Sequence, residues 1–162
     1  MDKPTQDRIA LLHPILRTEV TALVNQANAQ LTTHSQMRII QGLRTIDEQN
    51  ALYAQGRTKA GKKVTNAKGG QSFHNYGLAI DFCLIIDGKE VSWDLKKDWD
   101  GDKVADWMEV VKVFRNAGWD WGGTWKFTDN PHFQKVFDNT WQTLLAKYTK
   151  GDLIKGTKYV NL

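Results

Sequence analysis

The chain has 162 residues, 41% of them apolar and 25% charged, which suits one folded domain with its own core and excludes a disordered or low-complexity chain. A single cysteine, Cys83, excludes an intramolecular disulfide framework. The net charge of +4 suits an acidic polymer as partner, but Lys59, Lys62, Lys63 and Lys68 are spread among Gly and Asn and do not form the block of a nucleic-acid-binding arm.

Taken in order, residues 14–31 form the clearest helix. Leu16, Val20, Leu23, Val24, Ala27 and Leu31 recur at three- and four-residue spacing, and Pro14 suits a first helical position. His13 and His34 flank it and read as exposed or capping residues. Met37 to Gln41 reads as a short strand, and Thr45-Ile46-Asp47-Glu48 has the capping-box pattern that opens a helix to about Gln55. Arg44 sits at that strand-to-helix junction. It reads either as a surface ion pair with Asp47 or Glu48 or as a clamp on a substrate carbonyl or carboxylate. Gly56 to Gly70 is a polar loop with turn signals at Gly61, Gly69 and Gly70, and it leads directly to His74, so it borders any cleft built there.

Leu78 to Ile86 reads as a buried strand closed by the turn pair Asp87-Gly88, with Glu90 to Trp93 returning. Asp81 does not belong in such a run: an unpaired buried carboxylate costs several kcal/mol or is protonated. Alternation puts Ala79, Asp81, Cys83 and Ile85 on one face and the bulkier Leu78, Ile80, Phe82, Leu84 and Ile86 on the other. A cationic side chain or a metal ion is needed beside Asp81. His74, seven residues upstream across Gly77, can fold back from a loop to meet it. Cys83 shares that face and reads as a buried thiol rather than a ligand.

Asp98-Trp99-Asp100-Gly101-Asp102 is acidic. A calcium ion held by Asp98, Asp100 and Asp102 is one reading, but the segment is read as lacking both the spacing of a twelve-residue calcium loop and its terminal Glu. The favoured reading is a cap, with Asp102 or a neighbour opening a helix from Val104 to Ala117 that buries Val104, Trp107, Met108, Val111 and Phe114 and ends at Gly118. Trp119-Asp120-Trp121-Gly122-Gly123-Thr124-Trp125 reads as a core corner, as an aromatic cleft wall, or as both for different rings. His132 follows Pro131 and precedes Phe133, so it starts or borders a strand. Two His and one Asp with an open fourth position form a catalytic zinc arrangement, and Asp129 stands near enough to His132 in sequence to act as a base. Asn139 to Tyr148 reads as a final amphipathic helix, followed by a last strand among Leu153, Ile154, Tyr159 and Val160.

The pattern Ser72-x-His74-x-x-Gly77-x-Ala79-x-Asp81, followed by Asp129-x-Pro131-His132, resembles the zinc DD-peptidase family of D-alanyl-D-alanine carboxypeptidases and phage endolysins. Further matches are Gly42-Leu43-Arg44-Thr45 with Gln49, Leu52-Tyr53 and Gln55-Gly56-Arg57-Thr58 upstream, and Trp121-Gly122-Gly123-Thr124-Trp125 before the second histidine. Together they span about residues 35–135, and they are most similar to the L-alanyl-D-glutamate peptidase endolysins. The resemblance implies an α+β fold over 1–162, hedgehog/DD-peptidase-like, with a small antiparallel sheet carrying the zinc site, helices flanking it and no separate wall-binding module. It implies one catalytic zinc on His74, Asp81 and His132, with Asp129 as general base where the carboxypeptidases have Glu. It favours the clamp reading of Arg44, with Ser72 and Gln49 beside it in substrate binding.

The substrate it implies is the peptidoglycan stem peptide, cut by a monomer with no nucleic-acid partner and no membrane insertion. No basic-apolar-small leader and no membrane-length apolar run is present in the sequence. The expectation is synthesis in a host cytoplasm, with a holin admitting the enzyme to the wall. The alternative within the family is a D-alanyl-D-alanine carboxypeptidase. Outside it stand a non-catalytic zinc domain, which has no use for Asp129, a metal-free glycosidase with a carboxylate pair, and a basic nucleic-acid module.

Overall fold

The computed structural model describes residues 1–32 and 34–162. Its elements in chain order are α1 (Lys3–Ala10), α2 (Pro14–Gln30), β1 (Ser35–Gln41), α3 (Ile46–Ala54), β2 (Ala79–Ile86), β3 (Glu90–Ser92), α4 (Asp106–Asn116), β4 (Asp120–Trp121), β5 (His132–Gln134) and α5 (Trp141–Lys150), with 3₁₀ turns at Phe73–Tyr76 and Gly122–Thr124. The class is α+β, as expected from the sequence. No helix among the described residues is long and apolar enough to cross a membrane.

The apolar run of β2 makes it the central strand of an antiparallel sheet. On one side it pairs with β1, from Ser35 opposite Ile86 to Gln41 opposite Asp81. Its other edge is shared: Ala79, Ile80 and Asp81 pair with β5, whereas Leu84, Ile85 and Ile86 pair with β3. β4 extends the sheet beyond β5. One half of β2, with Asp81, therefore lies between β1 and the His132 strand β5, and the other half, between β1 and β3, serves the scaffold.

The bulky face of β2 is in the main core, as alternation required. Ile80, Phe82, Leu84 and Ile86 pack with Leu16, Val20 and Val24 of α2 and Trp107, Val110 and Phe114 of α4. A column of rings ties three elements together: Trp107 and Phe82 have centroids 4.2 Å apart, Phe82 and Phe133 5.3 Å, and Phe133 and Phe114 4.7 Å. The Phe82–Phe133 and Phe133–Phe114 pairs are stacked and the Trp107–Phe82 pair tilted, and aromatic pairs add about 0.5–1.5 kcal/mol each beyond their area burial. The second face is also covered, so Cys83 is a buried free thiol opposite Arg38 of β1, outside the histidine cluster.

The structure adds one helix and corrects three expectations. A helix, α1, precedes α2; its short span has only Thr5 and Ile9 buried, too few to show a period, and it is held by Asp2 accepting from the Thr5 amide at 3.0 Å. His13 takes the capping role of the two the sequence offered: it is buried, its Nδ1 accepting from the Ile15 amide at the start of α2 and its Nε2 bonded to the Val160 carbonyl at 2.9 Å. α4 starts at Asp106, with Ala105 as a cap residue that makes no side-chain bond, so the Asp102 cap is not formed. Val104 and Met108 are consequently exposed, because the two turns that were to bury them are loop and helix rim. The expected last strand is reduced to one bridge, Leu153 to Val160.

Candidate active site

Three elements bring His74, Asp81 and His132 together. The turn Phe73–Tyr76 carries His74 and is closed by Gly77 at φ +69, where a Cβ would stand 2.6 Å from the His13 amide nitrogen. Only glycine turns the chain there and lets β2 begin at once. Asp81 and His132 are direct partners in the β2–β5 pairing. One ligand atom from each residue lies within 4.8 Å of the others. His74 Nε2 is 3.2 Å and His132 Nδ1 3.0 Å from the same Asp81 oxygen, and the two rings meet edge to face at 5.0 Å.

The far nitrogens decide what the near ones can do. His74 Nδ1 lies 2.8 Å from the Gly42 carbonyl oxygen, which only accepts, so Nδ1 carries the proton and Nε2 points its lone pair at Asp81. His132 Nε2 lies 3.0 Å from Gln134 Oε1 and donates to it, leaving the Nδ1 lone pair aimed the same way. Two imidazole lone pairs and a carboxylate thus converge with no donor between them. Such a point calls for a cation, and imidazoles fixed by an outer hydrogen bond are the usual support of metal ligands. Two nitrogens and one oxygen with an open side fit zinc.

In the metal-free protein a proton taken up by His132 supplies the donor that the neutral tautomers lack, and the acids and bases shift accordingly. Burial pushes the Asp81 carboxyl up, but hydrogen bonds and charge from His132 and His74 outweigh it and hold it far below the usual carboxylate range. Burial pushes His132 down, but the Asp81 bond and charge, with help from Gln134 and Asp129, leave it raised. Asp129 is raised by desolvation from the surrounding walls and by the Asp81 charge, against smaller pulls from His132, His74 and Arg44.

Asp129 and Arg44 line one open cleft of about 400 Å³ with His74, Asp81 and His132. Asp129 is placed by the Trp-Gly-Gly segment. Its amide donates to the Gly122 carbonyl at 2.9 Å, Trp121 Nε1 donates to the Asn130 carbonyl at 2.7 Å, and a Cβ on Gly122 would lie 2.3 Å from the Asp129 carbonyl oxygen. Trp121 and Trp119 are therefore core rings, whereas Trp125 stands at the cleft, 5.1 Å from the His132 ring.

Arg44 makes no ion pair with Asp47 or Glu48. Its amide donates to the His74 carbonyl at 3.0 Å, and its Nη1 donates to Gln49 Oε1 at 3.1 Å. Gln49 is fully buried behind it and does not line the cleft; its amide donates to the Ala67 carbonyl at 2.8 Å and to Thr65 at 3.3 Å, so it ties Arg44 to the 56–70 loop. Ser72 lines the cleft while its hydroxyl accepts from the His74 amide at 3.3 Å. Two supports were absent from the sequence reading. Gln134 was visible in principle, two residues beyond His132 on the same strand face. The Gly42 carbonyl carries no sequence signal.

Comparison with known proteins agrees with this geometry. Residues 65–135, which include all three ligand candidates and Asp129, match the family described as D-alanyl-D-alanine carboxypeptidase, within the M15 peptidases. The peptidoglycan L-alanyl-D-glutamate endopeptidase CwlK of Bacillus subtilis (strain 168) is 43% identical over 126 residues, 77% of this chain and 74% of the relative. The crystal structure of the Serratia marcescens L-Ala D-Glu endopeptidase ChiX superposes with a TM-score of 0.54 over 85% of this chain and 90% of that one; at 24% identity it speaks for the fold. Identity sustained across three quarters of both chains settles the family, and the chain belongs to the M15 metallopeptidases.

Proposed function

We propose that this protein is a zinc-dependent endopeptidase that hydrolyses the L-alanyl-D-glutamate bond of the peptidoglycan stem peptide, and that it serves as a phage endolysin. The observation that carries the enzymatic reading is the single cleft shared by the His74–Asp81–His132 cluster, Asp129 and Arg44. The bond is inferred from the 43% identical CwlK, and the endolysin role from the resemblance noted above.

His74, Asp81 and His132 would hold the zinc, which supplies Lewis-acid polarisation of the scissile carbonyl and an acidified water. Asp81 contributes the negative charge that partly neutralises the ion, and the Gly42 and Gln134 bonds keep both imidazoles in the ligating tautomer. Asp129 takes a proton from the attacking water and returns one to the leaving amine. Its raised pKa suits a group that must be basic in one step and acidic in the next. Arg44, braced by Gln49, presents its remaining guanidinium donors to a substrate carbonyl or carboxylate, and Ser72 and Trp125 flank the same cleft. A metal-free glycosidase is disfavoured, because one of the two carboxylates of the cleft, Asp81, is engaged by two converging histidines.

The test is mass spectrometry of purified peptidoglycan after digestion, with and without chelator and restored zinc. The expected products are new L-alanine C-termini and D-glutamate N-termini that vanish on chelation. Release of free D-alanine would move the enzyme to the carboxypeptidase reading, and new reducing sugar ends unaffected by chelator would sink the peptidase altogether. The endolysin role is tested by expression with and without a holin, lysis being expected only when both are present.

A further inference from the structure

The loop from β3 to α4 and the first turn of α4 carry Asp98, Asp100, Asp102, Asp106 and Glu109. Counted from Asp98 these are positions 1, 3, 5, 9 and 12, the acidic positions of a twelve-residue calcium loop, and position 7, which supplies a backbone carbonyl in such loops, is Val104. A count centred on Gly101 leaves the terminal Glu without a match, whereas a count from Asp98 puts Glu109 in its place. Position 6, a glycine in such loops, is Lys103, and it adopts the same left-handed conformation with φ +77. Only the exiting helix, α4, is present; the entering side is the turn after β3 rather than a helix.

Acidic loops are common without an ion, so the spacing alone decides nothing. Glu109 decides it. The residue is 7% exposed, and its Oε2 has no hydrogen-bond partner among the described residues. It lies within reach of the loop's charge: burial and then the charges of Asp102, Asp100, Asp106 and Asp98 push its pKa up to about 7. Carboxylate oxygens of Asp98, Asp100 and Asp106 already lie within 4.8 Å of one another, and Asp106 is fully buried. Among the described residues no Lys, Arg or His forms an ion pair with any of the five. A buried carboxylate with an unpartnered oxygen beside like charges is a destabilising arrangement that a bound cation reverses.

We infer that Asp98, Asp100, Asp102, Asp106 and Glu109 form a calcium site, separate from the peptidase cleft, that locks the β3–α4 loop to the body of the protein. The donor set is all oxygen and strongly anionic, which suits calcium and not zinc; magnesium prefers one or two carboxylates and a shell of water. The anchors are in place. Thr32 Oγ1 donates to Asp100 at 3.0 Å, and the Ser35 hydroxyl at the start of β1 donates to Asp106. Trp107, in the first turn of α4, packs tilted against Phe82, the neighbour of Asp81 on β2. Calcium therefore stiffens the scaffold under the zinc ligands without touching them.

The experiment uses the full-length, zinc-loaded protein and reads thermal unfolding and terbium luminescence sensitised by Trp99 and Trp107. Calcium is expected to raise the unfolding midpoint saturably, by roughly 5 °C at millimolar concentration, with one ion bound per chain and a much smaller response to magnesium. Asp98→Asn and Glu109→Gln should each abolish the response. Calcium-free Glu109→Gln should unfold at or above the temperature of the calcium-free parent, because the repulsion is gone, which a solvated acidic loop would not produce. The inference is overturned if the parent shows neither a midpoint shift nor terbium uptake up to about 10 mM calcium, if magnesium acts equally, or if both substitutions leave the response intact. The readouts are binding and unfolding, so their failure leaves the peptidase reading standing.

Discussion

Asp81 and Glu109 are both carboxylates folded into the protein, and their surroundings drive them in opposite directions. Asp81 sits between two imidazoles whose hydrogen bonds and charge hold it ionised despite burial. Glu109 sits against four aspartates and is pushed up to about 7. A mixed nitrogen and oxygen set with an open side favours a borderline Lewis acid and leaves room for a substrate, whereas an all-carboxylate set favours a hard ion with no chemistry to perform. One fold thus makes two anionic centres that differ in ligand type and in access.

That contrast is broken most completely at His74. His74→Ala should lose zinc and hydrolysis together, with activity at background, while the calcium response of the Asp98–Glu109 loop persists; metal analysis beside a stem-peptide assay checks both. Asp129→Asn should keep stoichiometric zinc and lower turnover by about 10²–10⁴-fold, the usual worth of a positioned acid/base. Wild-type turnover in that variant would remove Asp129 from the mechanism. Gln134→Ala frees His132 Nε2 and should weaken zinc affinity by about 10–100-fold, read by competition with a chromogenic chelator, and full affinity would show that the bond is idle.

The smallest effect is a pH dependence. In the zinc-free protein the raised His132 pKa means that its contribution to stability is complete below its unfolded value of about 6.5 and is lost as pH rises through the folded value. The lowered Asp81 contributes above its unfolded value of about 3.9 and is lost only as pH falls through its folded value. Chelated protein should therefore be most stable between about pH 4 and 6.5 and soften above. Zinc-loaded protein should not soften there, because metal binding requires the neutral imidazole. Unfolding midpoints across about pH 5.5–8.5, with and without chelator, test it, and coincident curves would refute the His132–Asp81 coupling.

Much of this was legible because single positions violated their local context. Asp81 in an apolar strand and His132 after Pro131 are conspicuous whatever the fold, and the α2 period and the Thr45–Glu48 capping box are local patterns that survive intact. α1 escaped because its two buried positions make no period, and α4 was begun too early because Asp102 resembles a cap until the loop is seen to turn at Lys103. The tryptophans could not be sorted, since their roles depend on which ring faces the sheet and which the cleft.

The sequence by itself determined the ligand types His, Asp and His, the candidate base, and the acidic spacing from Asp98 to Glu109, because these depend on residue identity and short-range order, while the α+β class followed from the family resemblance those residues carry. Only the tertiary structure decided that the β2–β5 register sets Asp81 opposite His132, that the Gly42 carbonyl and Gln134 aim both imidazole lone pairs at one point, that Gln49 braces Arg44 from behind, and that Glu109 is sealed in without a partner. Those are contacts between segments far apart in the chain. Their geometry follows from how the core packs, and no local pattern encodes it.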